Sequence, residues 1–189
     1  MLIQMIVHQP QMLGPVLKST PPWVWGLLAV LTWLGLSQAR ARTAGLARVT
    51  FMPIAMTALS VWGTMSAFGG SPQFGSVLLA WSAAATVALA TLAPMAAPAG
   101  TRYDVRTRTF RLPGSWVPLL LILGIFLTKY IVGVELAMQP GLARDGQYAV
   151  MAGALYGLFS GIFTGRAVRL WRLASRPAAA GASAAAFNA

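Results

Sequence analysis

Cysteine is absent from the 189-residue chain and histidine occurs once, at His8. No disulfide or thiolate metal site can form, and neither a bis-histidine haem nor a multi-histidine metal centre can be built from this chain alone. Acidic residues number three, Asp104, Glu135 and Asp145, and charged residues of both signs make up 9% of the chain. A soluble domain devotes about a quarter of its residues to charge, so the polar surface needed to cover a globule in water is missing. No nucleophile elbow, phosphate loop, metalloprotease helix or paired carboxylates occur, which leaves hydrolysis and phosphoryl transfer without visible machinery. No enzymatic activity and no cofactor are expected.

Apolar residues fill 57% of the chain, and the mean hydropathy is +0.68. Fourteen Lys and Arg give a net charge of +11, which in a soluble protein would suggest nucleic acid. Here the charges fall between long apolar runs, so lipid is the expected surrounding and no nucleic-acid partner is expected. A hydrocarbon core of roughly 30 Å needs about 20 mostly apolar residues per helix. Five segments meet that need, at about 23–37, 49–68, 75–96, 116–138 and 148–167. All are read as helices, because lipid offers nothing to an unpaired backbone amide and no alternating barrel pattern is present. The expected fold class is all-α: a polytopic five-helix transmembrane bundle, with Pro21 and Pro22 suiting the first helix start.

Positive charge is retained on the cytoplasmic side. The first connection holds Arg40, Arg42 and Arg48, the third Arg102, Arg106, Arg108 and Arg111, and the C-terminal flank Arg166, Arg169, Arg172 and Arg176. Against these, the other side offers Lys18 and Arg144, the latter offset by Asp145. The N-terminus is therefore expected outside and the C-terminus inside. Trp23, Trp25, Trp116, Tyr148 and Trp171 fall near the expected helix ends, where amphipathic rings prefer the headgroup level. Residues 1–22 lack the charged start and cleavage site of a signal peptide and are read as an outer interfacial segment. Residues 23–172 form the transmembrane domain, and 173–189, rich in Ala, read as a disordered tail.

Two features carry chemistry. In the fifth helix Gly153, Gly157, Gly161 and Gly165 recur every fourth residue, forming a smooth groove along which another backbone can come close. The groove suits an intramolecular neighbour, a homo-oligomer face or, at the margin, a pore lining. Beside it run Tyr156, Ser160 and Thr164. Lys129 lies inside the fourth span, about 20 Å from its cytoplasmic end and about 14 Å below its outer end. A lysine at the bilayer centre costs at least roughly 2.5–3.5 kcal/mol unless it snorkels, pairs or faces water. Tyr156, Trp81, Ser82, Ser60 and Thr64 come to similar depths, which predicts a polar pocket open to the outer face with Lys129 as its cation. The same residues also suit a structural anchor. Glu135, about 9 Å higher and roughly 120° around the same helix, is a further candidate for the pocket but cannot pair well with Lys129, and near the outer interface it reads as hydrated.

The connection from Thr101 to Ser115 alternates apolar and polar residues with period two around Tyr103 and Val105, then Phe110 and Leu112. That pattern predicts a short cytoplasmic hairpin lying on the membrane surface. Met52, Met56 and Met65 read as core filler rather than a copper site. His8 reads as an interfacial polar residue.

Phe126 to Tyr130 with Gly133, the run from Leu155 to Arg166, and the loop from Arg102 to Trp116 resemble an uncharacterised family of small bacterial inner-membrane proteins. The resemblance spans about Trp23 to Arg172 and implies a multi-helix membrane protein without implying a substrate. The expected role is a non-enzymatic accessory or scaffold protein, with lipid, a second copy or another membrane protein as partner. The alternative is a small transporter or channel subunit whose outward pocket contains Lys129.

Overall fold

The computed structural model describes Gly14 and residues 18–175. Most of the N-terminal segment, including His8, and the tail from residue 176 lie outside the described residues. Among the described residues, five long helices and three short strands follow in chain order. They are α1 (Pro22–Ser37), β1 (Arg42–Gly45), α2 (Leu46–Phe68), α3 (Phe74–Leu92), β2 (Arg102–Asp104), β3 (Thr109–Leu112), α4 (Val117–Met138) and α5 (Gly146–Ser175). A 3-10 turn, Pro140–Arg144, joins α4 to α5.

The four helices α2 to α5 are long and apolar enough to cross a membrane. The first expected span is different. α1 has 16 residues, a length of about 24 Å at 1.5 Å per residue, against a hydrocarbon core of about 30 Å. Pro22 at its first position sets the start, since proline lacks the amide that an interior turn would need. Thr20, just before it, shares a 2.6 Å hydrogen bond with the Tyr130 hydroxyl of α4. Tyr130 stands eight residues below Met138, so α1 begins about 12 Å short of the far end of α4. At its other end α1 meets the start of α4, where Ser115 N–H donates to Gln38 O at 3.1 Å and Gly35 lies against Leu119.

The helices form two groups. α5 packs along α3 and, less extensively, along α2, while α1 pairs with α4. Many large side chains on the outer faces remain exposed, among them Val30, Phe51, Ile54, Leu79, Val87 and Leu127. Apolar surface of that kind is the face such helices turn to lipid. The buried cluster of Phe68, Val77, Val132, Ala149, Ala152 and Tyr156 lies where α2, α3, α4 and α5 meet.

The expected hairpin is part of a larger element. β2 and β3 pair as anticipated, with Tyr103 opposite Phe110 and ring centroids 4.7 Å apart. β1 adds a third strand from the first connection, so the order is β1-β3-β2 and every pairing is antiparallel. The sheet turns its apolar face onto the bundle, where Ala44 and Phe110 are buried, whereas Val105 is exposed at the hairpin tip. The tip is tightened by Asp104, whose Oδ1 accepts from the Arg106 N–H at 2.9 Å.

Candidate functional site

The Lys129 side chain leaves α4 and reaches the junction of three helices. Its Nζ stands over the Tyr156 ring of α5, 4.4 Å from the centroid, and against Gly63 of α2, where any Cβ would collide with the amine. The absence of a side chain at Gly63 therefore lets the ammonium reach the aromatic face. Such a contact offsets about 0.5–2 kcal/mol of the cost of a cation in an apolar setting.

Around the same ring the hydroxyls bond inward. Trp81 Nε1 of α3 donates to Ser60 Oγ at 3.1 Å, and Ser160 Oγ donates to the Tyr156 carbonyl at 2.9 Å. Ser60 Oγ lies 3.4 Å from that same carbonyl, and Thr64 Oγ1 donates to Ser60 O at 2.9 Å. Ser60, Thr64, Tyr156 and Ser160 are all buried. Five of the residues placed at this depth from sequence, Lys129, Tyr156, Trp81, Ser60 and Thr64, thus come together. Ser82 does not: it is exposed, and its Oγ donates to Leu79 O one turn back. Ser82 adjoins Trp81 in sequence, and successive helical residues point about 100° apart. Glu135 is only 7% exposed, rather than hydrated at the outer surface. Tyr148 of α5 is among its neighbours.

The glycine row faces α3. A Cβ at Gly153 would stand 2.7 Å from Val77 O, at Gly161 2.7 Å from Ala88 Cβ, and at Gly165 2.8 Å from Leu92 Cβ, while at Gly157 it would overlap the Trp81 carbonyl. Close approach of two backbones recovers dispersion energy that lipid cannot supply. The groove is filled within the chain.

A second polar region lies at the other end of the bundle. A half-open cleft of about 180 Å³ separates the α1/α4 pair from α2 and α5 beneath the sheet. Arg42, Arg48, Arg166 and Arg169 line it, together with Gln38 and Thr101. Its walls include Leu34, Met52, Met56, Leu121, Ile122 and Phe163, and Ala44 and Leu112 of the sheet also face it. Burial lowers the Arg42 pKa from its ordinary value, and the neighbouring Arg48 charge lowers it further.

The sequence matches a family of unknown function, DUF6622, over residues 1–181. The chain belongs to that family. No curated protein and no solved structure matches it. Membership of DUF6622 therefore agrees with the multi-helix membrane architecture and assigns no reaction. Among the described residues, no group of three or more His, Asp or Glu side chains is placed to hold a metal ion. The arginine cleft was not anticipated from sequence. Its four cations come from β1, α2 and α5, and in the sequence each is a topology signal alone. The signal available was their surplus: no carboxylate occurs between residues 38 and 103, or after residue 145.

Proposed function

We propose that this DUF6622 chain is a non-enzymatic accessory or scaffold protein of the bacterial inner membrane, acting through helix–helix contacts. In this reading the chain crosses five times, with its N-terminus outside and its C-terminus in the cytosol. The observation that carries it is the placement of Lys129. The membrane-embedded cation is packed on Tyr156 and Gly63, and the surrounding hydroxyls donate to helix carbonyls, with Ser60 also accepting from the Trp81 indole. That arrangement suits an anchor joining α2, α4 and α5. With the glycine groove filled by α3, the outer faces of α1 and α2 remain for a partner. The arginine-bearing sheet end then faces the cytosol, as positive charge favours.

A photo-reactive residue introduced at Ile54 or Trp62 tests the proposal in intact membranes. Discrete crosslinked products with another membrane protein or a second copy are expected, and their formation should survive Lys129→Met. Continuous labelling by lipid alone would count against it. The transporter reading draws on the Lys129 ammonium, whose partner is a ring face rather than an anion, leaving N–H donors for a solute. Anion flux through proteoliposomes that disappears in Lys129→Met would establish that reading instead.

A further inference from the structure

The arginine cleft gathers four cations around a small space with no counter-charge of its own. Asp104, Glu135 and Asp145 are the three acids of the chain, and none lines the cleft. Arg42 donates to Gln38 Oε1 at 2.6 Å, and Arg169 donates to Ala96 O. Arg48 and Arg166 make no hydrogen bond among the described residues, and Arg166 lies within electrostatic reach of Arg42 and Arg169. Like charges held together at the edge of an apolar medium repel strongly, and an anion between them reverses the sign of the interaction. A second observation points into the same space. The Thr101 hydroxyl, which lines the cleft, is buried and has no hydrogen-bond partner among the described residues. Buried polar atoms are nearly always paired, so a ligand with acceptor oxygens fits the site.

Size and walls narrow the ligand class. The space of about 180 Å³ is comparable to the roughly 150 Å³ cavity that holds one benzene ring. It suits a phosphodiester with part of its glycerol, not a nucleotide. Below the arginines the walls turn apolar, from Leu34 and Met52 to Met56 and Phe163, with Met56 about 12 Å along α2 from Arg48. A cationic rim above an apolar groove matches an amphiphile whose anionic head sits at the membrane surface.

We propose that this cleft binds one anionic phospholipid, with its phosphodiester among Arg42, Arg48, Arg166 and Arg169 and an acyl chain along the Met52–Met56 wall. Guanidinium groups suit this task because their fixed forks meet phosphate oxygens in pairs. The proposal requires a membrane protein but no particular orientation, and it does not depend on the scaffold reading.

The test is lipid retention by the purified full-length protein in neutral detergent, read by native mass spectrometry with phosphatidylglycerol and phosphatidylcholine in competition. Wild type is expected to retain a single phosphatidylglycerol at about tenfold lower concentration than phosphatidylcholine, and Arg42→Gln/Arg166→Gln to lose that preference at least fivefold. Arg102→Gln/Arg111→Gln removes two exposed sheet charges and is expected to keep it. Equal loss in both double variants, or retention in the cleft variant, would overturn the proposal in favour of diffuse surface charge. A wild-type measurement guards against misfolded variants: millimolar inorganic phosphate or glycerol phosphate should not displace the bound lipid. Complete displacement by either would make the site one for free anions and would also overturn the proposal.

Discussion

A lysine in the middle of an apolar helix has to be answered locally, because water is about 14 Å away along the helix. The answer here is an aromatic face from α5 and a missing side chain at Gly63 on α2. Tyr156→Phe keeps the ring and should change stability little, whereas Tyr156→Leu removes the cation's partner. The leucine variant should lose about 0.5–2 kcal/mol more than packing alone explains, and that excess should vanish in a Lys129→Met background. Thermal denaturation in detergent around this double-mutant cycle measures it. Ser82→Ala, on the exposed side of α3, should be neutral in the same assay. Asp104 gives a pH-dependent contrast. The Thr107 side chain and the Arg106 N–H hold its carboxyl below the ordinary value of 3.8. A depressed folded pKa stabilises above the unfolded value and loses its contribution as pH falls through the lower folded value. The Arg106 and Thr107 amide resonances should therefore titrate with a midpoint below 3.8.

At the scale of the element, α5 and α3 meet through backbone rather than interlocking side chains. At Gly157 an added methyl would meet the carbonyl, carbon and Cα of Trp81, none of which can swing aside. At Gly165 the nearest atoms belong to the Leu92 side chain at the end of α3, where displacement is easier. Gly157→Ala should therefore cost about 1–3 kcal/mol, the range for overpacking, and Gly165→Ala distinctly less. Detergent thermal midpoints of the two variants, compared side by side, provide the check. Pro53 also has an element-scale effect. It lies within α2 and lines the arginine cleft, and proline cannot return an amide to the carbonyl four residues earlier. The α2 backbone is thus weakened beside the cleft.

For the whole molecule, the two helix groups, α2/α3/α5 and α1/α4, share the sheet at one end and the Lys129 junction nearer the other. The cleft lies between those two ties. Because the natural chain contains no cysteine, single introduced thiols report the arrangement across the membrane without background. Gly70→Cys stands in open space between α2 and α3, and Thr107→Cys sits at the hairpin tip. In intact cells a membrane-impermeant maleimide should label the first, and the second only after permeabilisation. Labelling in the reverse pattern would invert the proposed orientation. Equal labelling of both from outside would exclude a bilayer barrier between them.

Composition and periodic hydropathy by themselves determined the helical class, the four long apolar helices, the β2–β3 pairing and the height of Lys129 along its helix. These properties follow from local chemistry, since lipid enforces helices and depth along a helix is a matter of counting. Tertiary structure decided the rest. It moved Ser82 out of the junction and buried Glu135, because facing depends on how each helix is rotated against its neighbours. It assigned the glycine row to α3 and recruited Arg42–Gly45 as a third strand, because partner choice depends on elements distant in the chain. Four arginines that sequence could count only as topology markers became one charged cleft for the same reason: convergence in space has no signature in local order.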